Sequence, residues 1–252
     1  MKKIKTGTLP WTLTGIAFLF LLWELASRAY GSDLILPGPV PVLKSLVSLV
    51  QTKRFLYAMG NSFVRVFAGI LISVPLGIAA GITAGLNRKA HAFLKPAFSV
   101  ISAMPVISVI LIAFLIFGSD RTPVFTAFLM IFPVMSANVI QGVSSTNPKL
   151  KELFSSYKMS RKETLRYLYI PALVPFILGG LRSSLSLCWK VVVAAEVLVQ
   201  PLRSLGAGMQ RAKAQLETPE LFAWTAATVI AAASSQGILT FILVRTGRRW
   251  QK

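Results

Sequence analysis

Residues 63–86 read FVRVFAGILISVPLGIAAGITAGL. Apart from Arg65 the stretch is uncharged. It is long enough to cross the hydrocarbon core of a bilayer, which takes about 20 apolar residues for roughly 30 Å. Gly69, Ser73, Gly77, Gly81 and Gly85 recur at every fourth position, so a helix places all five on one face. Helices in lipid associate by close van der Waals approach, and small residues at this spacing let backbones touch. We read the stretch as a transmembrane helix with a helix-packing seam. Pro75 interrupts it and predicts a kink.

Further apolar blocks lie on both sides. Six spans are expected, at about 11–27, 63–86, 97–117, 122–143, 172–199 and 221–244, forming one all-α integral membrane domain over 1–252. Gly118-Ser119-Asp120-Arg121 reads as a tight turn between the third and fourth. Pro105 and Pro133 fall in mid-span, where the carbonyls they free need protein or water as partners. Composition agrees: 54% of the residues are hydrophobic and 14% charged, against about a quarter charged in soluble domains. The net charge of +19 is not a nucleic-acid signature, because the cations sit in the gaps between apolar blocks. They act as positional markers instead. Sixteen Lys and Arg fall on the side of the termini and nine on the other, with Arg182 and Lys190 inside the fifth span. Both termini are therefore expected in the cytoplasm of a multi-pass cell-membrane protein.

The start, Met1-Lys2-Lys3-Ile4-Lys5 and an apolar run from Trp11, resembles a signal peptide but lacks a small-x-small cleavage site, so an uncleaved first span is expected. The 28–62 connection holds a rigid Leu36-Pro37-Gly38-Pro39 turn. Val42, Leu46, Leu49, Val50 and Leu56 then recur near helical spacing, as in an amphipathic helix at the outer interface. Cys188 is the only cysteine and His91 the only histidine, which excludes an intrachain disulfide and a Cys/His metal cluster.

The segment 144–171 carries most of the functional information. Asn147-Pro148 reads as an N-cap followed by proline in the first turn. Leu150, Leu153, Phe154 and Tyr157 share one face of the helix that follows. Ser160-Arg161-Lys162-Glu163 fits a capping box and starts a second helix. Ile170-Pro171 leads into the fifth span. Two short helices joined by a tight turn between two spans suit docking against a partner protein, with a helix resting on the lipid surface as the other reading.

This segment resembles the EAA loop of ABC importer permeases. Glu152 and Pro171 stand where that pattern has Glu and Pro, and Pro175 matches a further proline. Leu153-Phe154 replaces Ala-Ala, Ile170 replaces Leu, and Lys158 occupies the Gly position. Either Lys158 bears roughly 1 kcal/mol of left-handed strain or the turn differs. Leu36-Pro37-Gly38-Pro39, Ser62-Phe63-Val64-Arg65-Val66, Phe117-Gly118, the run from Trp189-Lys190 to Glu196, and Leu205-Gly206 are similar to the nitrate/sulfonate/taurine branch of that family. The resemblance covers about residues 20 to 245. It implies a second permease copy as a homodimer, two ATP-binding subunits, and an extracytoplasmic substrate-binding protein. It also implies a small solute: nitrate, a sulfonate, taurine, bicarbonate or a thiamine-precursor pyrimidine.

The chain has no Gly-x4-Gly-Lys-Ser/Thr phosphate loop, so no enzymatic activity and no cofactor are expected of it, and ATP would be used by the partner. ATPase coupling falls to Leu150, Glu152, Leu153, Phe154, Tyr157, Lys158 and Pro171. A charge inside a span is costly unless buried or wet, which singles out Arg182, Lys190 and Glu196 as a possible translocation path for an anion. The competing reading of these three is structural pairing or snorkelling. A stand-alone secondary transporter or channel is the alternative function. It calls for ion-coupling carboxylates deep in the membrane, whereas Glu24 and Glu196 lie near span ends. A membrane-embedded enzyme needs a nucleophile–base pair or a metal cluster, and neither is evident.

Overall fold

The computed structural model describes residues 9–247, and the cations Lys2, Lys3, Lys5, Arg248, Arg249 and Lys252 lie outside them. Every described element is a helix: α1 (Leu9–Tyr30), α2 (Pro39–Val50), α3 (Lys53–Leu86), α4 (Arg88–Ala103), α5 (Val106–Ser144), α6 (Pro148–Ser156), α7 (Arg161–Thr164), a π-helical turn (Leu165–Tyr169), α8 (Ile170–Val199), α9 (Leu205–Ala214) and α10 (Thr218–Gly247). Hydrocarbon offers no hydrogen-bond partners, so a spanning chain must satisfy its backbone within itself, and helices do this segment by segment.

The small-residue seam of α3 packs against α5 of the same chain. A Cβ added to Gly69 would meet Ala127 at 3.0 Å, one on Gly77 Met135 at 2.7 Å, one on Gly81 Val139 at 2.6 Å, and one on Gly85 Val143 at 2.8 Å. The partner number rises in step with the glycine number, so residues 119–144 run parallel to α3. The chain therefore recrosses the bundle between Leu86 and Gly118. It does so in two pieces, α4 and residues 106–117, and this corrects the expected single span 97–117. Pro105 does not kink that helix; it ends it. Met104 is pushed to φ −67°, ψ 130° and Pro105 becomes the N-cap of α5, because a proline ring disfavours helical backbone in the residue before it and supplies no N–H.

The reversal expected over Gly118–Arg121 is made at one residue. Gly118 has φ 70°, ψ −179°, while its neighbours on both sides are helical. Glycine is the residue that adopts this backbone without steric cost. Phe117 and Phe125 then stack across the reversal with centroids 4.6 Å apart.

α8 completes the core against both α3 and α5, antiparallel to residues 119–144. Gly142 abuts Leu173 and Phe176, and Gly180 abuts Met135 and Asn138. Ile131, Met135, Val139 and Val192 are fully enclosed between these helices. α10 packs on α2, α8 and α9. α1 is peripheral, held where Trp23 donates to the Pro37 carbonyl at 2.9 Å and stacks on Phe222.

Three further boundaries differ from the sequence reading. The helix expected to include Leu56 stops at Val50, because Thr52 caps a new helix by accepting from Phe55 N. α3 therefore starts ten residues before the apolar stretch and continues through Pro75. α9 was not expected at all, although Ser204 caps it by accepting from Ala207 N.

The seam makes a direct prediction. Gly81→Ala places a methyl 2.6 Å from Val139 Cβ and 2.8 Å from the Ser136 carbonyl, so it is expected to cost about 1–3 kcal/mol. Gly60→Ala in the same helix meets nothing within 4 Å and is expected to be neutral or stabilising. Thermal unfolding of the purified full chain in detergent checks the pair.

Candidate functional site

The α6–α7 element lies between α5 and α8. Asn147 Oδ1 accepts from Lys149 N at 3.0 Å and Pro148 opens α6. At the far end Lys158 adopts φ 49°, the left-handed turn that the sequence left open. Met159 N reaches back to the Phe154 carbonyl at 3.1 Å and Tyr157 N to the Leu153 carbonyl at 3.0 Å, closing the helix terminus. Ser160 then starts α7 with a complete capping box. Its Oγ accepts from Glu163 N, and Glu163 Oε2 accepts from Ser160 N at 2.8 Å. The Lys151 ammonium sits 5.9 Å above the Tyr169 ring and ties α6 to the π turn.

That π turn has a local cause. Pro171 has no N–H to continue the ordinary ladder, and Ile170 N bonds to the Leu165 carbonyl five residues back. The helical path is thereby carried from Arg161 into α8 without interruption.

Among the described residues little covers the apolar face of α6. Leu150, Leu153 and Tyr157 are exposed, Tyr157 to 76%, and Phe154 is half-buried. Glu152 and Lys158 are exposed beside them, and Pro171 is exposed at the start of α8.

At the opposite end of the bundle a buried polar cluster joins four helices. Glu196 is fully buried. Ser62 Oγ lies 2.8 and 2.7 Å from its two carboxylate oxygens. Arg65 Nη1 donates to Oε1 at 3.0 Å and Gly206 N to Oε2 at 3.3 Å. Ser62 Oγ also accepts from Leu205 N at 3.1 Å, and Arg65 Nη2 reaches Asp120 at 3.4 Å. Gly206 permits this closeness, since a Cβ there would fall 2.3 Å from Val197 N. Glu196 is thus saturated by α3 and α9 and lines no open surface in this conformation. The sequence reading offered pairing or snorkelling for it but did not identify these partners. Ser62, Arg65, Asp120 and Gly206 were missed as its partners; the signal was a carboxylate too deep in an apolar run to stand alone.

Arg182 and Lys190 are different. Both are exposed, as is Ser183, and Ser186 is half-buried between them. Positions 182, 186 and 190 fall on one face of α8, two helical turns or about 12 Å from end to end. Among the described residues no carboxylate lies within ion-pair distance of either cation.

Two predictions arise here. Arg65→Met leaves the Glu196 carboxylate without its cation and is expected to cost about 3–5 kcal/mol. Adding Glu196→Leu is expected to recover part of that loss, which a double-mutant cycle in urea or heat measures. Lys158→Gly is expected to relieve about 1 kcal/mol of left-handed strain, seen as slower amide exchange around Tyr157–Ser160.

Comparison with known proteins gives consistent relatives. The family described as binding-protein-dependent transport system inner membrane component matches residues 73–250. A probable ABC transporter permease protein of Brucella melitensis is 32% identical over 189 residues, covering 75% of this chain and 76% of that protein. The taurine transport system permease protein TauC of Escherichia coli is 28% identical over 235 residues, covering 91% and 83%. In fold, the chain is similar to a solved bacterial ABC transporter involved in import of the polysaccharide alginate, with a TM-score of 0.65 at 15% identity over 96% of both chains.

Proposed function

The chain belongs to the family of binding-protein-dependent transport system inner membrane components, and from that premise we propose that it forms the translocation path of an ATP-binding-cassette importer for a small anion. The observation that carries the coupling is the uncovered face of α6. Leu150, Leu153 and Tyr157 stand exposed on a helix flanked by Lys149, Lys151, Lys158, Arg161 and Lys162. An apolar face on a short, capped and heavily charged element suits a protein groove.

In this reading α6 and α7 seat in a separate ATP-binding subunit, one on each of two permease copies. Glu152 and the Lys158 turn set the orientation of the element, and Pro171 fixes where it joins α8. The segment 147–169 and both termini face the cytoplasm, in line with the excess of Lys and Arg on that side. The Glu196 cluster then faces outward, toward an extracytoplasmic binding protein. ATP is used by the partner, and the chain itself carries no catalytic group or cofactor. Anion preference follows from Arg182 and Lys190, the exposed cations within α8. TauC is named for taurine, a zwitterion whose sulfonate end is the kind of group such cations would meet.

The test is reconstitution of the full complex with its ATP-binding subunits and binding protein in proteoliposomes. Leu153→Asp and Tyr157→Ala are expected to lower ATP-driven uptake by about ten-fold or more, with reduced co-elution of the ATPase and no loss of monodisperse permease. Full uptake and full co-elution in both variants would exclude α6 as the coupling contact.

A further inference from the structure

Trp189 on α8 lines two cavities. One is a space of about 320 Å³ walled by Phe63, Phe67, Ile70, Leu185 and other apolar side chains. The other is a cleft of about 550 Å³ between α8 and α10, closed at one end by Met209 of α9. The second cleft is also mainly apolar but takes in more polar side chains than the first. Ser186, Lys190 and Gln236 line it together with Trp189, and Val193 and Val229 form apolar walls. Its volume lies in the range of small-molecule sites.

Lys190, Trp189, Ser186 and Gln236, all able to donate hydrogen bonds, line the same cleft. Trp189 is 2% exposed, and its indole N–H is buried with no hydrogen-bond partner. An unmet buried donor is costly and marks a place where a partner is expected. Among the described residues Ser186 and Gln236 also make no hydrogen bond, and Lys190 has no ion pair. No carboxylate lines the cleft. The nearest acid along α8, Glu196, is already saturated.

A lone ammonium in a span costs about 2.5–3.5 kcal/mol against acyl chains. The Lys190 face of α8 is therefore a wet or protein-lined face and not a lipid-facing one. A cation beside three neutral groups that can donate, with no carboxylate to neutralise it, is the complement of a compact anion whose oxygens accept hydrogen bonds.

We propose that the α8–α10 cleft is an intramembrane binding station for a small oxyanion, held by the Lys190 ammonium and by donors from Trp189, Ser186 and Gln236. Arg182, two turns along the same face, is the next cation on the path. The station rests on the anion-importer reading and gives it a specific stopping place.

Binding and transport are measured separately, so that the two readings fail separately. In the first arm the purified full chain in nanodiscs is titrated with ethanesulfonate, nitrate and bicarbonate, and with neutral dimethyl sulfone, following indole fluorescence and calorimetric heat. At least one anion is expected to bind while the sulfone does not. Lys190→Met is expected to weaken binding by about ten-fold or more, and Lys190→Arg to retain it within about three-fold. Trp189→Phe is expected to weaken anion binding while the chain stays monodisperse. Equal binding by Lys190→Met, equal binding of the sulfone, or no binding of any anion overturns the station. In the second arm the assembled transporter is tested for ATP-driven uptake. Absence of uptake by the wild type overturns the importer reading, whereas uptake unaffected by Lys190→Met removes the station from the path and leaves the importer intact.

Discussion

The register between α3 and α5 governs this structure. Gly69, Gly77, Gly81 and Gly85 each lie against a residue at the same offset along α5, from Ala127 to Val143. Backbones that approach this closely cannot slide by a residue without driving a side chain into a carbonyl. The register in turn fixes the sense of residues 119–144 and forces the reversal at Gly118. It also brings Arg65 and Asp120 to the same end as Glu196. A hydrophobic drive has no place among helices already in an apolar solvent, so shape alone must hold the register. The polar cluster adds a second fixed point, because its members have no alternative partners at that depth.

Much of this was legible in the residues. The five small positions of α3 announce their common face, and the caps at Asn147 and Ser160 announce α6 and α7. The left-handed turn at Lys158 was one of two outcomes the resemblance left open, and the structure adopts it. What stayed hidden depended on contacts distant in the chain. Pro105 reads as a kink in isolation; only the packing of α4 and residues 106–117 shows that two separate helices share one crossing. Glu196 reads as an exposed or snorkelling charge until Ser62 and Arg65, far earlier in sequence, are seen around it. α9 escaped notice because it is short and its mean composition is neither clearly apolar nor clearly polar.

The candidate site divides in the same way. The α6 face was readable because periodicity and capping are local. The cleft beside Lys190 was only half readable. The cation was visible in the sequence, but its neighbours Ser186 and Trp189 became meaningful only once α10 brought Gln236 across from them. The two ends of the molecule also differ in kind. One presents apolar side chains on an exposed helix face, and the other encloses a carboxylate, Glu196, within the bundle.

The π turn at Leu165–Tyr169 has a mechanical meaning. By absorbing the missing amide of Pro171 it avoids a hinge at the point where one would be expected. Helical backbone then runs from Arg161 to Val199, about 58 Å at 1.5 Å per residue. One end of this rod carries the α6–α7 element and the other carries Glu196. A rod of that length tilted by about 5° moves its far end by about 5 Å, more than the reach of any hydrogen bond in the cluster around Glu196. The molecule has the proportions of a lever pivoting at its α6–α7 end, in which a small change of angle on one side of the bilayer becomes a displacement large enough to open a polar lock on the other.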